Sequence, residues 1–548
     1  MQILGILNLD WRRSSESMPL LKYNLHRYLV YPATQIYLTI YKKFLLLFKM
    51  EPSGELNKLP KNSVKSPRIY LLRQIFVCSG VTSYFFIGGL FFGAPTVFVP
   101  QIRKDANSTE IISMAMMSWL MSISNYGSLP WVIIFPVIAA RFGRKIPYTV
   151  TWVNTMVCVS LFYFSSSTTE LLISGCLQGI IFAVLFSISI MVLTEYTSPK
   201  HRGILITFKA ATFYWGVWIS NAIGTFFHWK NISILIFICC IYNITALFWP
   251  ESPVWLASKG RFDECAKCHR WLKGEDKDSE DELKQLISSQ QDNLKRKKEY
   301  HRDKQKSSIN RMYHTIKSKR FYKPLMYSIV AMCLYHFSGK MACTGYVLHI
   351  IQTISVNEST AYAGMLVLDG ITVLGMYVGV FLTKFLNRRT LLLGSSVIGI
   401  TFLFMLSLYL YLIHLMVISE NKYLTIFLIM GYSVSMSCGP MIMSMCFSTE
   451  LTPLKGRSLF LSIFALLVNT IMGVNLQIFP FIFKYFKSHG AFLFYALMSS
   501  IFTFILYKVL PETKGKTIQE IEKCFSDEDI VPEEESALVN LDIRKANS

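Results

Sequence analysis

Pro250-Glu251-Ser252-Pro253-Val254-Trp255-Leu256 closes one long apolar run, and Pro511-Glu512-Thr513-Lys514-Gly515 closes another. Each sets a helix-stopping proline, a carboxylate and a tight turn where an apolar helix ends. The same exit used twice, far apart in the chain, predicts two related halves.

The composition places those halves in a membrane. Of 548 residues, 52% are hydrophobic and only 16% charged, which is too apolar for a soluble chain. The net charge of +21 does not point to nucleic acid, because the basic residues sit in connections between apolar runs, where they set orientation and meet anionic headgroups. The twelve cysteines are scattered, several inside apolar runs as at Cys239 and Cys240, so no disulfide framework is expected.

A crossing helix needs about twenty mostly apolar residues. On that scale the chain holds spans at roughly 74–99, 113–138, 147–166, 170–194, 203–226, 231–249, 324–350, 361–383, 391–414, 423–447, 457–483 and 489–509. The predicted fold is an all-α membrane protein of twelve transmembrane helices in two six-helix halves, 73–249 and 324–510. Arg141, Arg144, Lys145, Lys200, Arg202, Lys384, Arg388, Arg389, Lys455 and Arg457 fall in the even-numbered connections, and the odd ones carry few basic residues. The positive-inside rule therefore makes the leader 1–72, the middle loop 250–323 and the tail 511–548 cytosolic. Two sequons, at Asn107 and Asn357, fall in connections this topology places outside and are expected to carry glycans. Leu38 to Phe48 is too short to span, and the basic lead from Met50 suggests that translation starts there. No cleavable signal sequence is evident, as suits insertion through the first span.

Two motifs in the middle loop are read as chance. Cys265-Ala266-Lys267-Cys268-His269 fits a haem-attachment spacing, but on a cytosolic helix with no supporting chemistry. His301-Arg302-Asp303 lacks every companion of a kinase catalytic loop. No nucleotide loop, spaced metal ligands or triad is found, so no enzyme, cofactor or metal is expected, and no obligate protein partner is evident.

Glu195-Tyr196-Thr197-Ser198-Pro199-Lys200-His201-Arg202-Gly203 after span four returns as Glu450-Leu451-Thr452-Pro453-Leu454-Lys455-Gly456-Arg457 after span ten. Arg141-Phe142-Gly143-Arg144-Lys145 and Asn387-Arg388-Arg389-Thr390 occupy matching turns after spans two and eight. With the two exits, these motifs resemble the sugar-porter branch of the major facilitator superfamily, in kind most like insect facilitated trehalose and hexose transporters, over nearly all of 70–525. The resemblance implies alternating access, gated at the cytosolic face by ion pairs among Arg144, Lys145, Glu195, Arg202, Glu251, Arg388, Arg389, Glu450, Arg457 and Glu512. Such pairs would latch the halves in one state and part in the other. The chain departs from the family in Ala140 for an aspartate, Pro136 and Asn387 for glycines, and Val254 for an arginine.

The sugar-facing lining departs further. Where the family's seventh helix reads Gln-Gln-x-Ser-Gly-x-Asn, this chain reads Tyr335-His336-Phe337-Ser338-Gly339-Lys340-Met341, and Ala210 replaces a glutamine in the fifth. The tenth keeps the Gly439-Pro440 break. In place of the amides stand Lys340 and Asp369, intramembrane charges that require partners. Both lie about 12–15 Å below the outer boundary at 1.5 Å per residue, so a salt bridge between them is expected, with His336 one turn below Lys340 on the same face. Tyr335, His336, Ser338, Lys340, Tyr346, Asp369, Thr372, Gly439, Asn469 and Asn475 form the expected substrate lining. The first span has no carboxylate of the kind that couples protons, which favours passive transport of a hexose or trehalose across the plasma membrane. A same-fold carrier of another small polar or charged solute, or a non-transporting sensor, is the alternative.

Overall fold

The computed structural model describes residues 67–106, 112–302, 315–354, 358–419, 421–453, 456–514, 520–521 and 524–525, and every regular element among them is helical. Asn107, Asn357 and the proposed start at Met50 lie outside these residues, as does the side chain of Arg202.

The chain opens with α1 (Pro67–Asp105), α2 (Met114–Phe142) and α3 (Lys145–Phe164). The Ser113 side chain caps α2 by accepting the Met116 N–H at 3.2 Å. The path continues as α4 (Thr168–Phe186), which starts in a Ser167–Glu170 capping box, and α5 (Ile188–Tyr196), the two separated by a break at Ser187. Next come α6 (Pro199–Phe226), with proline in its first turn, and α7 (Asn231–Asn243), which tightens into a 3₁₀ turn at Ile244–Phe248 before the first Pro-Glu exit.

Three polar-faced helices fill the middle connection: α8 (Pro253–Ser258), α9 (Phe262–Lys273) and α10 (Lys277–Arg302). Trp255, Leu256, Cys265 and Leu283 make their own small core. Arg73 pins that layer to the foot of α1, stacking 4.7 Å from the Trp271 ring and donating to Trp271 O at 2.9 Å.

The second set holds α11 (Lys319–Phe337), α12 (Lys340–Gly345), α13 (Val347–Ile354), α14 (Glu358–Phe385), α15 (Arg388–His414), α16 (Lys422–Cys438), α17 (Pro440–Glu450) and α18 (Arg457–Val509). Its breaks follow residue chemistry. Gly339 sits at φ +78° between α11 and α12, and Gly439 precedes Pro440 between α16 and α17. The long α18 is two rods joined at Lys487, whose φ is +56°.

Eight helical stretches among the described residues are long and apolar enough to cross a membrane by length and composition alone. The predicted spans 147–166, 203–226 and 324–350 are not among them, and the last two predicted spans form one continuous stretch. The region of 324–350 is cut at Gly339 and Tyr346. The region of 203–226 carries Lys209 and Asn221, both buried. Large apolar side chains such as Val137, Phe164, Ile238, Leu374, Phe427 and Phe504 point outward, as lipid contact requires.

Because lipid removes the hydrophobic drive between helices, close backbone approach has to hold the bundle. A Cβ at Gly89 would stand 1.9 Å from Phe213 O, and one at Gly216 2.3 Å from Phe86 O, so α1 and α6 meet backbone to backbone. The α1–α7 set meets the α11–α18 set mainly where α2 packs on α18 and α6 packs on α14.

Candidate functional site

The two Pro-Glu exits fold into the same device. Glu251 accepts the backbone N–H of Arg144 at 2.8 Å, at the start of α3. Glu512 accepts those of Arg388 at 3.3 Å and Arg389 at 3.0 Å, at the start of α15. Each carboxylate caps the positive end of a helix and satisfies donors that have no partner inside it. Gly143, at φ +108°, lets the first carboxylate in, because a Cβ there would lie 2.2 Å from Glu251 Oε2.

Each capped arginine then reaches sideways to the second glutamate of its set. Arg144 grips Glu195 through two bonds, Nε at 3.0 Å and Nη2 at 2.9 Å, and Ser252 Oγ donates to the same carboxylate at 2.5 Å. Arg388 pairs with Glu450. Lys145 lies within electrostatic reach of Glu251. The Arg389 guanidinium donates to the carbonyl of Tyr507.

Neither ion pair links the two helical sets in this structure. Arg144–Glu195 stays within α1–α7 and Arg388–Glu450 within α11–α18, because each pair joins helix ends that are already neighbours in one set. Arg457 reaches across instead, its Nη2 donating to Thr194 Oγ1 at 2.8 Å.

Hydrogen bonds cross between the sets at several levels. Thr96 donates to Gly345 O at 2.8 Å, Tyr126 to Gln477 Oε1 at 2.6 Å and Trp218 Nε1 to Leu366 O at 3.0 Å. The Tyr214 and Tyr335 hydroxyls bond to one another.

The interior charges lie along this seam, but not as expected. Lys340 and Asp369 form no salt bridge. Lys340 Nζ donates to Thr372 Oγ1 at 2.7 Å and Ser433 Oγ at 2.6 Å, while Asp369 Oδ2 accepts from Asn221 Nδ2 at 2.6 Å. Equal depth does not fix the angle at which each side chain leaves its helix, and each charge found a neutral partner to one side. Both still line one small cavity of about 30 Å³ with Thr344, Tyr432 and Ser433. His336 is also displaced from its predicted place, because the left-handed turn at Gly339 separates it from Lys340. Its ring is buried 4.8 Å from that of Tyr335, with neither nitrogen hydrogen-bonded among the described residues.

The remaining expected lining residues scatter around this centre. Ser338 O accepts from Tyr432 at 2.8 Å. Asn475 Nδ2 donates to His336 O at 3.0 Å, and Tyr346 to Leu476 O at 3.0 Å. Asn469 bonds to Ala465 O in its own helix. Gly439 faces Ser395 and Leu391 of α15 rather than the cavity.

Sequence reading passed over Asn221, Ser433, Tyr214 and Lys209. Lys209 carried the same signal as Lys340, a charge inside a predicted span; it is 3% exposed, with its ammonium 5.1 Å from the Phe85 ring. Asn221 and Ser433 carried no signal, since such residues are ordinary interhelical glue.

Paired helix exits, a split α18 and a polar seam between two helical sets define a major facilitator bundle. Its backbone matches the proton:xylose symporter XylE bound to 6-bromo-6-deoxy-D-glucose with a TM-score of 0.67, at 16% identity over 82% of this chain and 99% of that one. The inward-open XylE from E. coli matches at 0.63, with 14% identity over 83% of this chain and 100% of that one.

The chain belongs to the sugar (and other) transporter family, whose profile matches residues 81–525. It is 26% identical over 482 residues to the facilitated trehalose transporter Tret1 of Drosophila yakuba, covering 85% of this chain and 53% of that protein. It is 24% identical over 433 residues to Tret1 of Apis mellifera ligustica, covering 78% of this chain and 83% of that protein. The chain thus spans about half the length of the Drosophila relatives it matches.

Proposed function

We propose that this protein is a facilitative carrier of a sugar, a hexose or trehalose, working by alternating access. The observation that carries the reading is the seam. Asn221 of α6 holds Asp369 of α14, beside a Lys340–Thr372–Ser433 cluster that lines a shared cavity. A polyol needs neutral donors and acceptors that can exchange protein partners for its own hydroxyls, and this cluster supplies both. Tret1 relatives described as facilitated trehalose transporters support the substrate class.

In this reading twelve helices cross the bilayer in two six-helix halves, 73–249 and 324–510, with both termini cytosolic and glycans at Asn107 and Asn357 outside. The clasps at Arg144–Glu195 and Arg388–Glu450 keep each half rigid, and the hydrogen bonds between halves break and reform as they rock. Asn469, Asn475, Tyr335 and Ser338 contact solute in other states of the cycle. The plasma membrane is the proposed location.

Radiolabelled trehalose and hexose uptake into proteoliposomes tests this. Saturable, counterflow-competent uptake that falls at least tenfold in Lys340→Met is expected. Absence of both uptake and counterflow for every sugar tried would overturn it.

A further inference from the structure

At the end of the bundle remote from Arg144 and Arg388, a cavity of about 480 Å³ opens between α2, α15 and α18. Four of its lining side chains are Lys484, Lys487, His414 and His489, and among the described residues no carboxylate lines it. Lys487 Nζ donates to His414 Nε2 at 2.9 Å, and the His414 and His489 rings stack with centroids 5.2 Å apart. Ser407 Oγ donates to His489 O at 2.8 Å, tying the turn of α18 to α15.

That turn is strained. Lys487 holds φ +56° and ψ −179°, a conformation suited to glycine, and no glycine stands there. Strain of this kind persists where surroundings impose it, and here it directs a lysine into a cluster of basic groups. The cavity wall is apolar, with Leu410, Ile413, Pro480 and Phe483, and Met114 of α2 closes it from the other helical set.

We infer that this pocket binds an amphiphile with an anionic head, phosphate or carboxylate, held by Lys484 and Lys487 with its apolar body against Phe483 and Ile413. Charge and size agree: the volume suits a small ligand or a headgroup with the first part of its chain, and the clustered lysine cations attract one anion. An occupant touches α2 and α18 at once, so it would brace the two sets at this end. The head could belong to a membrane lipid or to a soluble amphiphile.

Native mass spectrometry of the full chain, titrated with phosphatidic acid, octyl phosphate or phosphatidylcholine, tests the proposal. One saturable anionic adduct is expected, weakened about tenfold or more in the double variant Lys484→Gln/Lys487→Gly, in which glycine keeps the positive φ. Lys484→Gln alone, should the double variant not fold, is expected to weaken binding about fivefold. Lys508→Gln, at the other end of α18, should bind as the parent does. Adducts with phosphatidic acid only assign a lipid, and adducts with octyl phosphate as well assign a general anionic amphiphile. Equal binding of phosphatidylcholine, or adducts unchanged in the Lys484 and Lys487 variants, would overturn the inference.

Discussion

Asn221 donates its amide to Asp369 across the interface between α6 and α14 at 2.6 Å, and this bond joins one helical set to the other beside the interior cavity. An amide can release a carboxylate to another donor without leaving a bare charge, because a solute hydroxyl can replace it. Asn221→Ala takes that donor away permanently. Uptake is expected to fall at least tenfold while the protein still folds, and a parent-like rate in proteoliposomes with a parent-like melting curve would remove the bond from the transport cycle.

Passive transport makes a second claim about the same carboxylate. Uptake should vary less than about threefold from about pH 6 to about pH 8, and Asp369→Asn should not alter that profile's shape. A steep profile flattened by the substitution would assign proton coupling to Asp369.

The two clasps should differ in strength. Arg144 and Glu195 are 13% and 6% exposed, against 26% and 24% for Arg388 and Glu450. Arg144→Ala leaves a buried carboxylate with the Ser252 hydroxyl but no counter-charge and should cost roughly 3–5 kcal/mol. Arg388→Ala should cost distinctly less, since water reaches what remains. Thermal unfolding in detergent ranks the two variants, and the reverse order would contradict the burial argument.

Gly339→Ala tests the break before Lys340. Its φ of +78° penalises any side chain, and a Cβ would stand 2.9 Å from the Tyr495 ring. A loss of roughly 1–3 kcal/mol is expected. Uptake should fall further than Tyr495→Phe makes it fall, because the turn aims Lys340.

The α8–α10 layer should loosen in acid. Burial, with Lys273 adding to it, pushes His269 down to about 4, so the neutral ring is the folded form. An unfolded histidine titrates near ~6.5, so this contribution is whole above that pH and lost as pH falls toward the folded value. Hydrogen exchange in 262–302 should accelerate over that window, and His269→Gln should remove the step.

The helix exits and the doubled Glu and Arg spacing were legible because each depends on local chemistry: proline, turn residues and a charge at a helix end. The spans were legible only in part, since 147–166, 203–226 and 324–350 are not among the eight long apolar stretches of the described residues. That Lys340 and Asp369 reach one level was legible too, and both line the same small cavity. Their partners were not, since rotation about the helix axis decides them, and the break that sets it for Lys340 rests on the conformation of Gly339. The spacing that pairs Glu195 with Glu450 as equivalents says nothing about whether an arginine reaches its own set or the other.

The repeated clasps resemble one another in wiring but not in wetness. Arg388–Glu450 is partly within reach of dissolved ions, whereas Arg144–Glu195 lies largely beyond their screening. Ionic strength therefore acts on this near-symmetric molecule unevenly, softening the second repeat while leaving the first stiff.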